Sequence, residues 1–310
     1  MRLLVALGGN AMTAPDGSAT PQAQIAAVTA AAGGLAALVA DGHELVLTHG
    51  NGPQVGNLLV KNELAAHVVP PVPLDWCGAQ TQGTVGAVVL DALEPALAAH
   101  GLAPRVAVLV SRTLVDRDDP GLHAPSKPVG RYLPADEARA LVEHGQVWQD
   151  RGERGWRRVV ASPEPVEVLD APAARVLLEA GYVVVVAGGG GIPTVREPDG
   201  RLRGVEAVID KDLTAAVLAR QLGADALVIA TDVPAAVLGH GTPDARPLGR
   251  VTTADLRAHA AGGAFASGSM GPKVEAALRF VEAGGALAAI TALGAIGDAV
   301  RGRAGTVVVP

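Results

Sequence analysis

Short apolar runs separated by helical stretches organise the chain. Residues 3–7, 45–48, 106–110, 183–187, 226–230, 288–292 and 306–309 are mostly Val, Leu, Ile and Ala, with little polar alternation. That is the pattern of strands buried on both faces. Between them the apolar spacing turns helical. Thr20 is placed to cap a helix with Pro21 in its first turn; Ile25, Val28, Leu35 and Val39 share one face, and Gly42 can end it in a left-handed conformation. Further helices are expected over about 80–100, from Asp170-Ala171-Pro172, over 211–222, after Thr252-Thr253-Ala254-Asp255, and over 272–283 behind Pro272. Strand–helix alternation of this kind predicts an α/β fold with a parallel or mostly parallel sheet covered on both sides.

The stretch 116–165 breaks the rhythm. It is rich in Pro, Gly, Arg and Asp, has a helical piece around 135–144, and hints at paired strands near Trp148 and Trp156. Because Trp148, Trp156 and Val159-Val160 can pack, it reads as an insertion or small protruding subdomain and not as a linker.

Composition narrows the function. Lys and Arg number 25 against 31 Asp and Glu, a net charge of −6, and the basic residues are dispersed apart from 151–158. This argues against nucleic acid as a partner. With Cys77 as the single cysteine, no disulfide can form within the chain, which agrees with a cytoplasmic protein. No motif makes Cys77 a nucleophile, and it is expected to be buried or half-buried. The apolar N-terminus is too short for a signal peptide, and no uninterrupted apolar stretch is expected to span a membrane.

In a parallel sheet, ligands bind beyond the C-terminal ends of the strands. Four runs here finish at glycine-rich polar segments: Gly8-Gly9-Asn10, His49-Gly50-Asn51-Gly52-Pro53, Gly188-Gly189-Gly190-Gly191 and, less directly, Gly268-Ser269-Met270-Gly271. Such turns bring backbone N–H groups close to an anion, and helices starting behind them add their own donors. The chain has no G-x-x-x-x-G-K-[ST] and no full G-x-G-x-x-G, which disfavours both a P-loop and a dinucleotide site.

Lysine is scarce: Lys61, Lys127, Lys211 and Lys273 are all there are. Lys211, between Asp210 and Asp212, and Lys273, behind Gly271-Pro272, both fall in the first turn of an expected helix, against the macrodipole. Lys127 stands in Pro125-Ser126-Lys127-Pro128, where prolines would stiffen a loop. Point charges around backbone N–H turns suit phosphoryl transfer, which asks for positioning and charge stabilisation. Asp210 and Asp232 are candidates to orient lysines or to meet nucleotide hydroxyls and Mg²⁺. The histidines show no metal-ligand spacing, so Mg²⁺ is expected to be held largely by phosphates, with no protein metal site. His49 is assigned a structural or hydrogen-bonding role, because a small acid anion needs no base.

These segments, with Gly155-Trp156-Arg157-Arg158-Val159-Val160, Gly204-Val205-Glu206-Ala207-Val208-Ile209-Asp210-Lys211-Asp212 and Gly268-Ser269-Met270-Gly271-Pro272-Lys273, resemble the carbamate kinases in order and over nearly the whole chain. The resemblance implies a three-layer α/β/α sandwich and a homodimer. It implies an N-terminal lobe, 1–225, for carbamate or carbamoyl phosphate, with a protruding subdomain at about 116–165. A C-terminal lobe, 226–310, would take ATP or ADP. Carried over, Gly8, Gly9, Asn10, Gly50 and Asn51 would surround the acceptor and the transferred group. Lys127 would hold the carbamoyl side, Lys211 and Lys273 would neutralise phosphoryl oxygens, and Asp210 would orient those lysines. Gly190, Asp232, Gly268, Ser269 and Met270 would serve the nucleotide. After Thr231-Asp232-Val233 the family often continues with a second aspartate and an aromatic; here Pro234 stands and no ring follows, and Ser267 replaces a usual proline. The residues by themselves leave open a same-fold kinase for another small acid and a catalytically silent nucleotide- or anion-binding regulator.

Overall fold

The computed structural model describes residues 1–9, 20–143, 145–265 and 270–310. The chain begins with β1 (Arg2–Leu7), α1 (Pro21–Ala40), β2 (Glu44–His49), α2 (Gly52–Ala65), α3 (Leu74–Ala99) and β3 (Val106–Val108). A middle stretch follows with β4 (Arg112–Val115), α4 (Pro120–His123), β5 (Lys127–Leu133), α5 (Ala135–Glu143), β6 (Val147–Asp150), β7 (Trp156–Val160) and β8 (Pro165–Val168). Next come α6 (Ala171–Glu179), β9 (Val183–Val185), β10 (Ile192–Arg196), β11 (Leu202–Gly204), α7 (Lys211–Leu222) and β12 (Ala226–Thr231). The last part holds β13 (Val237–Leu238), β14 (Arg246–Pro247), β15 (Arg250–Thr252), α8 (Thr253–Ala261), α9 (Met270–Glu282), β16 (Leu287–Ala292), α10 (Ile296–Val300) and β17 (Thr306–Val309).

Eight strands make one sheet in the order β15-β17-β16-β12-β1-β2-β9-β3. Every neighbouring pair in it is parallel except β16 with β17. Side chains along a strand alternate between faces, and here both faces are core. Leu3, Val5 and Leu7 pack with Val28, Leu35 and Leu38 of α1 and Val85, Val89 and Leu93 of α3. Leu4 and Ala6 pack on the other side with residues of α6, α7 and α9. Burial on both sides is why these runs lack polar alternation. The result is the α/β/α sandwich, with the C-terminal ends of β1, β2 and β12 side by side at one edge.

Several expectations are corrected. Ile25 is half exposed, standing one turn before the packed stretch of α1. Helix α2 was not foreseen, since its opening Gly52-Pro53 reads as turn; proline in fact suits a first helical turn. α3 starts at Leu74, earlier than about 80. A second, four-stranded sheet, β11-β10-β4-β8, also escaped the sequence reading, because its strands are only 3–5 residues long. α1 has the length and hydropathy to cross a membrane, contrary to the expectation for every apolar stretch; in the fold Val28, Ala31, Ala32, Leu35, Ala36 and Leu38 are buried against the sheet and α3.

The protruding subdomain is an antiparallel sheet, β5-β7-β6, with α5 laid on it. Its own small core joins Leu133, Ala138 and Trp148, with Leu141 and Trp156 partly buried. A separate contact, Val129 and Val160 against Val55 and Leu59, seats the subdomain on α2. Trp148→Ala should destabilise the subdomain by about 3–5 kcal/mol. Hydrogen exchange should then quicken over 127–160 while protection in β1, β2 and β12 is retained; equal loss in both would show that the two cores are one.

Candidate active site

The site is built where strands end. Leu7 pairs with His49, and the Gly50 N–H donates to the Leu7 carbonyl at 2.8 Å. A β-carbon on Gly50 would lie 2.6 Å from Gly9 N and 2.9 Å from Gly9 Cα. No side chain fits between the two turns, so glycine is required there for close approach. Asn51 precedes α2 without capping it; instead its Nδ2 donates to Thr81 Oγ1 at 2.9 Å. The third turn leaves β9 through Ala187, whose φ of 55° is left-handed, a conformation costing a non-glycine residue roughly 1–2 kcal/mol. A β-carbon on Gly189 would fall 2.0 Å from Asn51 Nδ2, so this turn lies against the second.

Gly9, Gly50, Asn51, Lys127, Gly189 and Lys211 line a cavity of about 190 Å³. That is below the roughly 300–1,000 Å³ of sites for drug-sized ligands. The N–H groups of Gly9, Asn51, Gly52 and Gly189 donate to no acceptor among the described residues. With the α2 N-terminus behind them they form a cradle for a small anion. Gly8 is buried, its N–H bonded to the Ala230 carbonyl at 2.8 Å, and it continues the sheet. Asn10 lies outside the described residues.

The lysines are held by two neighbouring carboxylates, in a division that differs from expectation. Asp210 caps α7: its Oδ1 accepts from the N–H of Asp212 at 2.9 Å and of Leu213 at 3.4 Å. Its Oδ2 takes Lys127 Nζ at 2.7 Å. Lys127 is thus the first residue of β5, tied across to α7, and not a loop residue between prolines. Lys211 and Lys273 belong to Asp212, whose Oδ1 lies 2.5 Å from Lys211 Nζ and whose Oδ2 lies 3.0 Å from Lys273 Nζ. Asp210 therefore does not orient those two lysines. Asp212, buried at 3% exposure, does. The sequence signal was present, a carboxylate directly after Lys211, but Asp210 beside it was the competing choice.

Burial drives the Lys211 ammonium below its ordinary pKa, with Lys273 adding to the effect and Asp212 resisting it. Burial would raise Asp212, yet Lys211 and Lys273 together outweigh it and hold the carboxyl below its usual value. Three ammoniums against two carboxylates leave one uncompensated positive charge beside the cradle. His49 Nδ1 lies 2.9 Å from the Gly50 carbonyl, which makes it the donor. Burial lowers its pKa to about 4, opposed by that bond and assisted by Lys211. A neutral, buried imidazole packed against Gly188 supports the turns, as its assigned structural role requires.

A second cavity, of about 180 Å³, opens past β12 and includes Thr231, Asp232, Val237, His240, Phe265 and Met270 in its wall. Asp232 is exposed and accepts from Thr231 Oγ1 at 3.0 Å. Two rings stand in the cavity wall, Phe265 and His240, which no local motif announced. Met270 starts α9, and Lys273 follows one turn on. Lys211, in the wall of the first cavity, is thereby linked through Asp212 and Lys273 to the helix whose first residue lines the second. Gly190 lines neither: its carbonyl accepts from Thr214 Oγ1 at 3.2 Å, behind Gly189 and on the cradle side. Gly268 and Ser269 lie outside the described residues. Among the described residues no three His, Cys, Asp or Glu side chains group as a metal site.

A glycine-turn cradle at the edge of a parallel sheet, with lysines leading to a second cavity, defines a small-acid kinase of the amino-acid-kinase class, and residues 1–292 match the amino acid kinase family. The carbamate kinase of Thermococcus kodakarensis is 44% identical over 313 residues, covering 99% of each chain. A crystal structure from Aeropyrum pernix K1 superposes with a TM-score of 0.95 at 42% identity, covering 100% of this chain and 99% of that one. Carbamate kinase from Giardia lamblia bound to AMP-PNP gives 0.92 at 38% identity, covering 99% and 98%. The chain belongs to the carbamate kinase family.

Two outcomes are expected. Asp212→Asn would leave Lys211 and Lys273 buried without a counter-charge, and should cost about 3–5 kcal/mol in urea unfolding; a loss below 1 kcal/mol would mean that the clamp is not buried as described. His49 has a folded-state pKa of about 4 against the ordinary 6.5, so between these values the unfolded chain binds the extra proton. Stability should rise by about 3 kcal/mol from pH 4 to 6.5 on this account and be lost on acidification. His49→Gln should flatten that part of the pH dependence of the urea midpoint.

Proposed function

We propose that the protein catalyses reversible phosphoryl transfer between ATP and carbamate, giving ADP and carbamoyl phosphate. The observation that carries this reading is the buried carboxylate of Asp212, holding Lys211 and Lys273 between a small anion cradle and the cavity past β12. Carbamate is flat, anionic and already nucleophilic, so it needs no base. Among the described residues the site's histidine, His49, is neutral and turned to a carbonyl.

In the proposed mechanism the acceptor lies in the cradle, with Gly9, Gly50 and Asn51 around it and Lys127 at its carbamoyl end. The nucleotide base and ribose occupy the cavity of Asp232, Phe265 and Met270, and the phosphates run along the α9 N-terminus. Transfer is direct and in line. Lys211, Lys273 and the Gly189 N–H meet the equatorial oxygens as charge spreads over them. Asp212 touches no substrate and keeps the two ammoniums in register. Mg²⁺ fits here as an ion carried on the phosphates, since Asp210 and Asp212 are both engaged by lysines; Asp232 would meet its hydration shell or a nucleotide hydroxyl. Bound in this way, it would neutralise phosphate charge.

The same reading makes 1–225 the acceptor lobe and 226–310 the nucleotide lobe, placing their boundary between α7 and β12. It also makes the protein a homodimer, supported by the exposed apolar side chains of Leu64, Val68, Val69 and Trp76 around the α2–α3 connection. Incubation with Mg·ADP and carbamoyl phosphate should yield ATP in a coupled assay; folded protein without turnover, or equal turnover of acetyl phosphate, would sink the assignment. Lys211→Ala should lower kcat by roughly 10²–10³ in a protein whose circular dichroism is unchanged.

A further inference from the structure

The turn that presents Gly189 is gripped by buried side chains that line neither cavity. Ala187, the one non-glycine residue with positive φ among the described residues, is bonded on both sides of its strained backbone. Its N–H donates to Ser111 Oγ at 2.7 Å, and its carbonyl accepts from Thr48 Oγ1 at 2.9 Å. Ser111 is held in turn by Gln82 of α3. Gln82 Oε1 accepts from the Ser111 N–H at 2.7 Å and from Ser111 Oγ at 3.4 Å. Gln82 Nε2 donates to the carbonyls of Ser111 and Gly188, both at 3.1 Å. The whole amide is therefore engaged, and all three side chains are buried.

Packing alone does not call for this set. Farther along α3 the positions facing the sheet are Val85, Val89, Leu93 and Leu97, the ordinary apolar solution. Toward its N-terminal end α3 becomes polar, and beneath the turn stand Thr81, which receives Asn51, and Gln82. Burying polar groups is unfavourable unless each is paired, whereas an apolar side chain fills the same space without that demand. What the polar set adds is direction: it holds a backbone conformation that a non-glycine residue would otherwise leave.

We propose that Gln82, Ser111 and Thr48 are positioning residues for phosphoryl transfer. They keep Ala187 left-handed, and so aim the Gly189 N–H into the cradle beside Lys211. This rests on the carbamate kinase reading, in which that N–H faces the transferred group. A donor aimed at charge that develops only in the transition state acts on kcat with little effect on ground-state binding.

The test uses Ser111→Ala and the isosteric Thr48→Val, each removing one bond to Ala187, with steady-state kinetics in the ATP-forming direction. The expected result is kcat lower by about 10- to 100-fold, with KM for ADP and carbamoyl phosphate within about threefold of wild type. Adding Ala187→Gly to Ser111→Ala should recover kcat by about threefold or more, because glycine takes positive φ without penalty. Should Ser111→Ala fail to fold, Thr48→Val and its Ala187→Gly double variant carry the same comparison. Folded variants with near-normal kcat, with kcat and KM altered together, or with no recovery in the Ala187→Gly background overturn the inference alone. A wild-type protein that forms no ATP overturns the functional reading along with it.

Discussion

Asp212 is the constraint on which the rest of the site depends. A carboxylate this deeply buried is tolerated only with charge and hydrogen bonds around it, and it receives both from Lys211 and Lys273. The reverse is equally true. Two ammoniums converging on one point would repel each other in a low-dielectric setting, and Lys211 is already driven toward its neutral form by burial. Asp212 lets both stay charged without cancelling them. The carboxylate also joins α7 to the start of α9, so the geometry of the lysines is set by helices packed in the core and not by the flexibility of their own side chains.

Charge alone would draw in any anion; the backbone cradle limits which. Parallel pairing places the ends of β1 and β2 together, and the approach of Gly50 to Gly9 leaves N–H groups where side chains would otherwise stand. Fixed dipoles of this kind need little reorganisation as charge shifts during the reaction. The strain of the third turn sits in the left-handed Ala187, next to hydrogen bonds from the polar end of α3. The cost of a shaped anion site is thus spread through buried side chains that the ligand never reaches.

What was legible in the sequence follows from the range over which each signal acts. The strands of the main sheet were readable because burial on both faces writes itself into consecutive residues, as in Leu3, Leu4, Val5 and Ala6. The glycine turns and the lysines stood out by type and position. Helix α2 was hidden because Gly52-Pro53 serves equally as a turn and as a helix start. The second sheet was hidden because strands of 3–5 residues hold too few positions to show a period. Partner choice was the least readable feature. Asp210 and Asp212 flank Lys211 alike in sequence, and only the folded start of α7 turns one to its own backbone and Lys127, the other to Lys211 and Lys273. Phe265 reaches the second cavity from a segment about thirty residues past Asp232, a distance no local pattern spans.

The bond between Lys127 and Asp210 connects the protruding subdomain to the helix of the lysine clamp. Lys127 opens β5, whose sheet has its own core and rests on α2 through Val129. Asp210 meanwhile caps α7, the helix that carries Lys211 and Asp212. One carboxylate therefore ties a peripheral unit to the centre through an ion pair that is only partly buried, beside the Arg131–Glu63 pair to α2. A contact of that exposure is worth far less than the buried clamp beside it, so it can exchange its partner when an anion enters the cradle. The subdomain is held firmly by its apolar seat on α2 and loosely by its charge. That division leaves Lys127 able to leave Asp210 without disturbing Lys211 or Lys273.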